Sequence, residues 1–114
     1  MNSGFLDKVR EICGSFYGAE EKPDELGHIT FKVKDKSFVR IGEMDGVYIL
    51  SIKTSPLTQE ILINQENSKF VKTAYIGQHG WVSIRSNDIV NWEELSELIK
   101  EAYYRTAPKK YLQC

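Results

Sequence analysis

The sequence has little cysteine, little proline and no long apolar run, and its charges nearly cancel. Only two of 114 residues are cysteines, Cys13 and Cys114, which excludes a disulfide-dense scaffold. No CxxC pair or His/Cys spacing of the zinc-binding kind occurs. Cys13 falls in an apolar helical pattern and reads as a small core residue. Cys114 is terminal and is expected to be exposed; a bridge between the two stays open, although a reducing cytosol disfavours it. Nothing in the chain is apolar for long enough to cross a bilayer. The first ten residues mix Asp7, Lys8 and Arg10 with apolar residues, unlike a secretory signal. The expectation is a cytoplasmic protein with no membrane partner. A formal net charge of −1 gives no general attraction to nucleic acid or anionic lipid, so binding of either kind needs a local basic patch. No GxSxG, phosphate-binding loop, dinucleotide fingerprint or HExxH is present. The expectation is therefore no enzyme, no catalytic residue, no metal and no cofactor.

What is present is an ordinary globular composition, 41% hydrophobic and 27% charged, without repeats, low-complexity segments or a dividing linker. It suits a single domain over residues 1–114. Phe5, Leu6, Val9, Ile12 and Cys13 recur at helical spacing, predicting a helix over about 3–13. Asn2 or Ser3 can cap its start and Gly14 suits its end. Residues 18–27 read as a polar loop, with a short strand near Phe16 and Tyr17. Its acidic residues Glu20, Glu21, Asp24 and Glu25 fit a solvated loop better than a metal site, because Lys22 and Pro23 interrupt them.

From His28 the period becomes two. Ile29, Phe31 and Val33 alternate with Thr30, Lys32 and Lys34, as in a half-buried strand. A turn at 34–36 leads to a second strand over about 37–42. Asp45-Gly46 is a hairpin signal. Residues 47–52 are apolar on both faces, which places that strand near the middle of a sheet. Ser55-Pro56 opens a short helix to about Asn64, expected to bury Leu57, Ile61 and Leu62. Residues 74–76 and 81–85 read as two strands around a glycine-bounded turn. The last helix is the most explicit. Asn91 caps it, Glu94 follows three residues later, and Val90 and Leu95 occupy staple positions. Trp92, Leu95, Leu98, Ile99, Ala102 and Tyr103 form its apolar stripe, and Pro108 stops it. The order predicts an α+β fold, an antiparallel sheet of hairpins with N-terminal, middle and C-terminal helices on one face. The other face stays partly open.

Two basic groups stand out. Lys32, Lys34 and Lys36 surround one hairpin turn and Arg40 lies on its second strand. Such a wing can lie along a groove and contact phosphates. The commoner use of such lysines is an edge strand kept from aggregating. The second group is Lys69, Lys72, Arg105, Lys109 and Lys110, which would converge if the last helix ended near the loop before Tyr75. Tyr75, Trp81 and Tyr104 offer stacking surfaces for bases, although Tyr75 and, more so, Trp81 also read as core or cross-strand packing residues. His79 lies in a turn with no positioned partner, and His28 starts a strand; neither reads as catalytic. The partners this implies are DNA, held weakly and without sequence preference, or else a protein or small ligand on the open sheet face.

The second half also carries a family likeness. Its residues are Phe70-Val71-Lys72-Thr73-Ala74-Tyr75, Gly80-Trp81-Val82-Ser83-Ile84, and Glu93-Glu94-Leu95-Ser96-Glu97-Leu98-Ile99. The closing Ala102-Tyr103-Tyr104-Arg105-Thr106-Ala107-Pro108-Lys109-Lys110 completes it. These segments resemble the MmcQ/YjbR family, described as predicted DNA-binding proteins with a double-wing arrangement. The resemblance implies a fold similar to the frataxin-like α+β sandwich and the DNA-binding role attached to that family. Frataxins bind iron through an acidic first helix. Here that helix alternates Asp7, Lys8, Arg10 and Glu11, which does not support iron.

Overall fold

The structure is a computed structural model and describes residues 3–88 and 90–113. Asn2 and Cys114, with any bridge to Cys114, lie outside the described residues. Helix α1 spans Ser3–Gly14. Four strands follow in meander: β1 (Ala19–Pro23), β2 (Ile29–Val33), β3 (Lys36–Met44) and β4 (Val47–Lys53). Helix α2 (Pro56–Asn64), strands β5 (Val71–Lys72) and β6 (Trp81–Arg85), and helix α3 (Trp92–Thr106) complete the order. The six strands form one antiparallel sheet in the order β1-β2-β3-β4-β6-β5.

Register separates the two faces, because residues directly opposite each other point the same way. Phe31, Val39, Ile52 and Val82 form one row, and Ile29, Ile41, Leu50 and Ile84 form another on the same face. These rows meet Phe5, Leu6, Val9 and Cys13 of α1 and Leu95, Leu98, Ile99, Ala102 and Tyr103 of α3 in a single core. Ile29 and Trp92 are half-buried against it. The α+β architecture expected from the sequence is the observed one.

Local chemistry explains most boundaries. The Asn91 side chain accepts from the Glu94 N–H at 3.2 Å, and Ser55 accepts from the Thr58 N–H at 3.0 Å with Pro56 opening the helix. The Lys34-Asp35 and Asp45-Gly46 pairs both have positive φ, as two-residue hairpin turns require.

Four expectations are corrected. The first half of the acidic stretch, with Glu20 and Glu21, is a strand and not a loop: β1 starts at Ala19, past Phe16 and Tyr17, and is recruited by full pairing with β2, while Asp24 and Glu25 stay in the turn that follows. The lysine-bearing β2 is therefore interior, and the edges are β1 and β5. Residues 74–76 are not a strand. They form a turn into a 3-10 helix at Gly77–His79, and β5 lies earlier. Finally, α2 buries Gln59 and Leu62, while Leu57 and Ile61 face out. Gln59 turns inward because its amide donates to the carbonyls of Gly77 at 2.6 Å and Trp81 at 2.9 Å.

Candidate functional site

The sheet face away from the helices carries a groove of about 590 Å³, within the range of ligand-binding clefts. Its floor comes from alternate residues of the central strands. Arg40 and Gly42 lie on β3, Ile49 and Ser51 on β4, and Ser83 on β6. One wall is Leu26 and His28, in the segment just before β2, with Met44 beside them. The other is the turn Thr73–Ile76.

Each wall is fastened. Asp24 Oδ1 accepts the backbone N–H groups of Leu26 and His28 at 2.9 and 2.8 Å, and Oδ2 meets His28 Nδ1 at 2.9 Å. Burial raises the Asp24 carboxyl, but the hydrogen bonds from His28 and Leu26 outweigh it and leave the group below its ordinary value. The imidazole lies over Gly42, where a Cβ would come within 2.9 Å of His28 Cδ2. On the far side the Gly77 N–H bonds Thr73 O at 2.9 Å, closing the turn that holds Tyr75 at φ 66°. Gly80 (φ 95°) anchors that segment: its carbonyl accepts from Thr54 N at 3.1 Å. A Cβ at Gly80 would lie 2.1 Å from Thr54 O.

Between the walls runs a buried chain of hydroxyls. Ser51 Oγ meets Ser83 Oγ at 2.8 Å, and Ser83 Oγ meets Thr73 Oγ1 at 2.8 Å. Arg40 is half-buried in the middle of the face. Among the described residues no ion pair or side-chain hydrogen bond engages it. The two most exposed large apolar side chains among the described residues, Tyr75 at 96% and Leu26 at 81%, stand on the rim.

The basic residues singled out from the sequence are divided by this geometry. Lys32 and Arg40 share the open face with Lys22, Lys53 and Arg85, as register dictates. The one carboxylate among the strand residues of that face is Glu20, opposite Lys32. Lys22 lies 3.9 Å from both Glu20 and Asp35. Lys34 and Lys36 sit exposed at the β2–β3 turn. The second group converges only in part: Lys69 and Lys72 line one hollow with Arg85, apart from Arg105, Lys109 and Lys110. Lys69 lines a hollow with Asn91 and Glu94 at the start of α3. Arg105 lies at the other end of that helix, roughly 20 Å away at 1.5 Å per residue. Tyr103 packs on Phe38 at 5.6 Å between ring centres, which brings Arg105, Lys109 and Lys110 to the β2–β3 end of the sheet. Lys72 lies on edge strand β5 with its stem against Gly77.

Of the stacking residues, Trp81 is 7% exposed and offers no free face to a base. Tyr104 is half-exposed on α3, with Lys100 Nζ 5.7 Å from its ring centre. Only Tyr75 stands at the groove. The hydroxyl chain, the Asp24–His28 pair and Met44 were not singled out from sequence; the signal for the first is serine at strand positions that face away from the core. Burial pushes the Cys13 thiol far up, so it is inert as a nucleophile. Among the described residues no three His, Cys, Asp or Glu side chains gather as a metal site, and no helix is long and apolar enough to cross a membrane.

A six-stranded antiparallel sheet, helices on one face and a walled groove on the other define an α+β domain with one open sheet face. The chain belongs to the YjbR family, whose family model matches residues 14–105. In fold it is similar to the crystal structure of Deinococcus radiodurans protein DR2400, which carries a domain named DUF419. The TM-score is 0.74 at 24% identity, covering 86% of this chain and 75% of that one. No curated protein matches the chain.

Proposed function

We propose that this YjbR-family domain is a nucleic-acid-binding protein rather than an enzyme, and that it binds with the open face of its sheet. The observation that carries this reading is the segregation of charge. Lys22, Lys32, Arg40, Lys53 and Arg85 share that face with a single strand carboxylate, Glu20. The three helices on the other side hold seven carboxylates against four cations. In a chain of net charge −1 the strand cations thus gather on one side, bordered there by the loop carboxylates Asp35 and Asp88, and such a field orients and holds a polyanion. Lys34 and Lys36 extend the surface along the hairpin, and Lys109 and Lys110, which follow α3, come to the same end of the sheet. Lysines at these positions contact phosphates and carry no sequence information, so binding is weak, salt-sensitive and indifferent to sequence.

The test is a titration of labelled duplex and single-stranded DNA at low and moderate salt. If about four phosphates are neutralised, log affinity falls with log salt at a slope of about −3.6 for the duplex and about −2.8 for the single strand. Replacing Lys32, Lys34 and Lys36 with Ala reduces that slope while circular dichroism stays native. No binding at low salt overturns the reading. The groove favours a second reading, a small ligand on the same face. Saturable ligand binding by a protein that ignores nucleic acid at low salt would select it.

A further inference from the structure

We infer that the groove seats one unpaired base of a single-stranded nucleic acid, stacked on Tyr75, with an adjoining phosphate on Arg40. This rests on the reading that the open face binds nucleic acid, and it names the form that is bound.

Four observations meet at one place. The first is Tyr75 itself, 96% exposed and held at φ 66°. A bulky residue in the left-handed region is strained, and such strain clusters where function fixes a conformation. The turn is not loose: the Gly77 N–H to Thr73 O bond closes it, and Gln59 holds Gly77 O from below. The ring is presented to solvent from a fixed base. Every base has a π-face, so one such ring accepts any base.

The second is the apolar character of the walls. Leu26, Met44, Ile49 and Ile76 line the groove, and Leu26 and Met44 are 81% and 62% exposed. A planar heterocycle covers such surface; a phosphate backbone alone does not. The third is Arg40, a half-buried cation on the floor with no anion engaged among the described residues. An unpaired guanidinium partly withdrawn from water is the complement of a phosphate.

The fourth is the hydroxyl chain. Thr73, Ser83 and Ser51 carry three protons, and the two bonds between them use two. One proton and several lone pairs remain for a partner. A hydroxyl both donates and accepts, so this floor suits the edge of any base. A duplex keeps its bases stacked and paired, leaving no face free for Tyr75. Only a single strand can fill a groove of about 590 Å³ with a base while its backbone runs along Lys32, Lys53 and Arg85.

Fluorescence anisotropy with a labelled single-stranded oligodeoxynucleotide and its duplex, in matched salt, tests this. The single strand is expected to bind at least tenfold more tightly. Tyr75→Ala removes most of that preference, by about tenfold, and leaves duplex binding unchanged; Tyr75→Phe retains it. Arg40→Gln weakens single-strand binding. Tyr75 lies outside the core, so a native melting profile for Tyr75→Ala is the fold control. Equal affinity for the two forms, or a preference that survives Tyr75→Ala, overturns the inference while leaving an electrostatic open face in place. Absence of binding to either form at low salt overturns the underlying reading as well.

Discussion

Gln59 joins the helical layer to the far wall of the groove, and its replacement has a calculable effect. The residue is 8% exposed. Its Nε2 donates to Gly77 O at 2.6 Å and Trp81 O at 2.9 Å. Gln59→Met keeps length and volume and removes both donors. Each lost bond costs about 1 kcal/mol. The two carbonyls are not orphaned, because Gly77 O still accepts from Gly80 N at 3.0 Å and Trp81 O from Thr73 N at 3.2 Å. The sum is therefore about 1–2 kcal/mol. With a urea slope of about 1–2 kcal/mol per molar, the midpoint falls by roughly 1 M with the slope unchanged. Gln59→Glu is worse at neutral pH, since a carboxylate there faces two carbonyl oxygens and has no proton to offer. The new carboxyl is driven above the ordinary value of about 4.3. Its folded form thus binds a proton over a range where the unfolded form has lost it. The extra destabilisation is absent below about pH 4 and grows as pH rises toward the elevated value. A Gln59→Met midpoint equal to wild type, or a Gln59→Glu penalty that does not vary between acid and neutral pH, would refute the two-donor account.

Two further outcomes follow from single contacts. Asn91→Ala removes the acceptor of the Glu94 N–H and lowers stability by about 1 kcal/mol; an unmoved denaturation midpoint with an unmoved slope counts against it. Asp24→Asn keeps a side-chain oxygen for the Leu26 and His28 N–H groups but loses the charge whose folded-state value is lowered. Asp24 contributes stability above the unfolded value of about 3.9, and that contribution disappears as pH falls through the lower folded value. The variant is therefore less stable at neutral pH and has a shallower acid limb; wild-type and variant stability curves running parallel from pH 2 to 7 would contradict this.

The parts of the fold legible in the sequence are those where several local signals agree. In α3 the cap, the acidic first turn and the apolar stripe all coincide. In β2 the alternation of Ile29, Phe31 and Val33 with polar residues fixes both the strand and the open-face position of Lys32. The misread parts depend on partners distant in the chain. The Ala-Glu-Glu-Lys-Pro of β1 has no strand pattern of its own and becomes one because β2 offers its hydrogen-bonding edge. Leu57 and Ile61, four apart, imitate a buried helix stripe, yet the buried polar residue is Gln59, chosen by two carbonyls about twenty residues later. The site divides in the same way. Strand alternation placed Lys32 on the polar face of β2, and the register of the sheet adds Arg40 to that face. The course of α3 separated Lys69 from Arg105, and no local pattern encodes that direction. Tyr75 read as a strand residue because its left-handed conformation depends on the closure of the turn around it.

The openness of this sheet face is itself a property of composition. A sheet that packs layers on both sides carries apolar residues at inward positions on each face. Here the helix side of the central rows is Phe31, Val39, Ile52 and Val82, while the opposite row reads Lys22, Thr30, Arg40, Ser51, Ser83 and Val71. Covering that row with a second layer would bury a guanidinium and several hydroxyls, at a cost that a few flanking apolar residues cannot offset. The hydroxyls partly satisfy one another, which makes the middle of the face stable without a protein layer above it. Arg40 has no such internal arrangement among the described residues. An uncovered face built around an unengaged cation and rimmed by Tyr75, Leu26 and Met44 is what the proposed partner, an anion that brings its own planar, apolar surface, would complete. An unpaired nucleotide has both parts on one molecule.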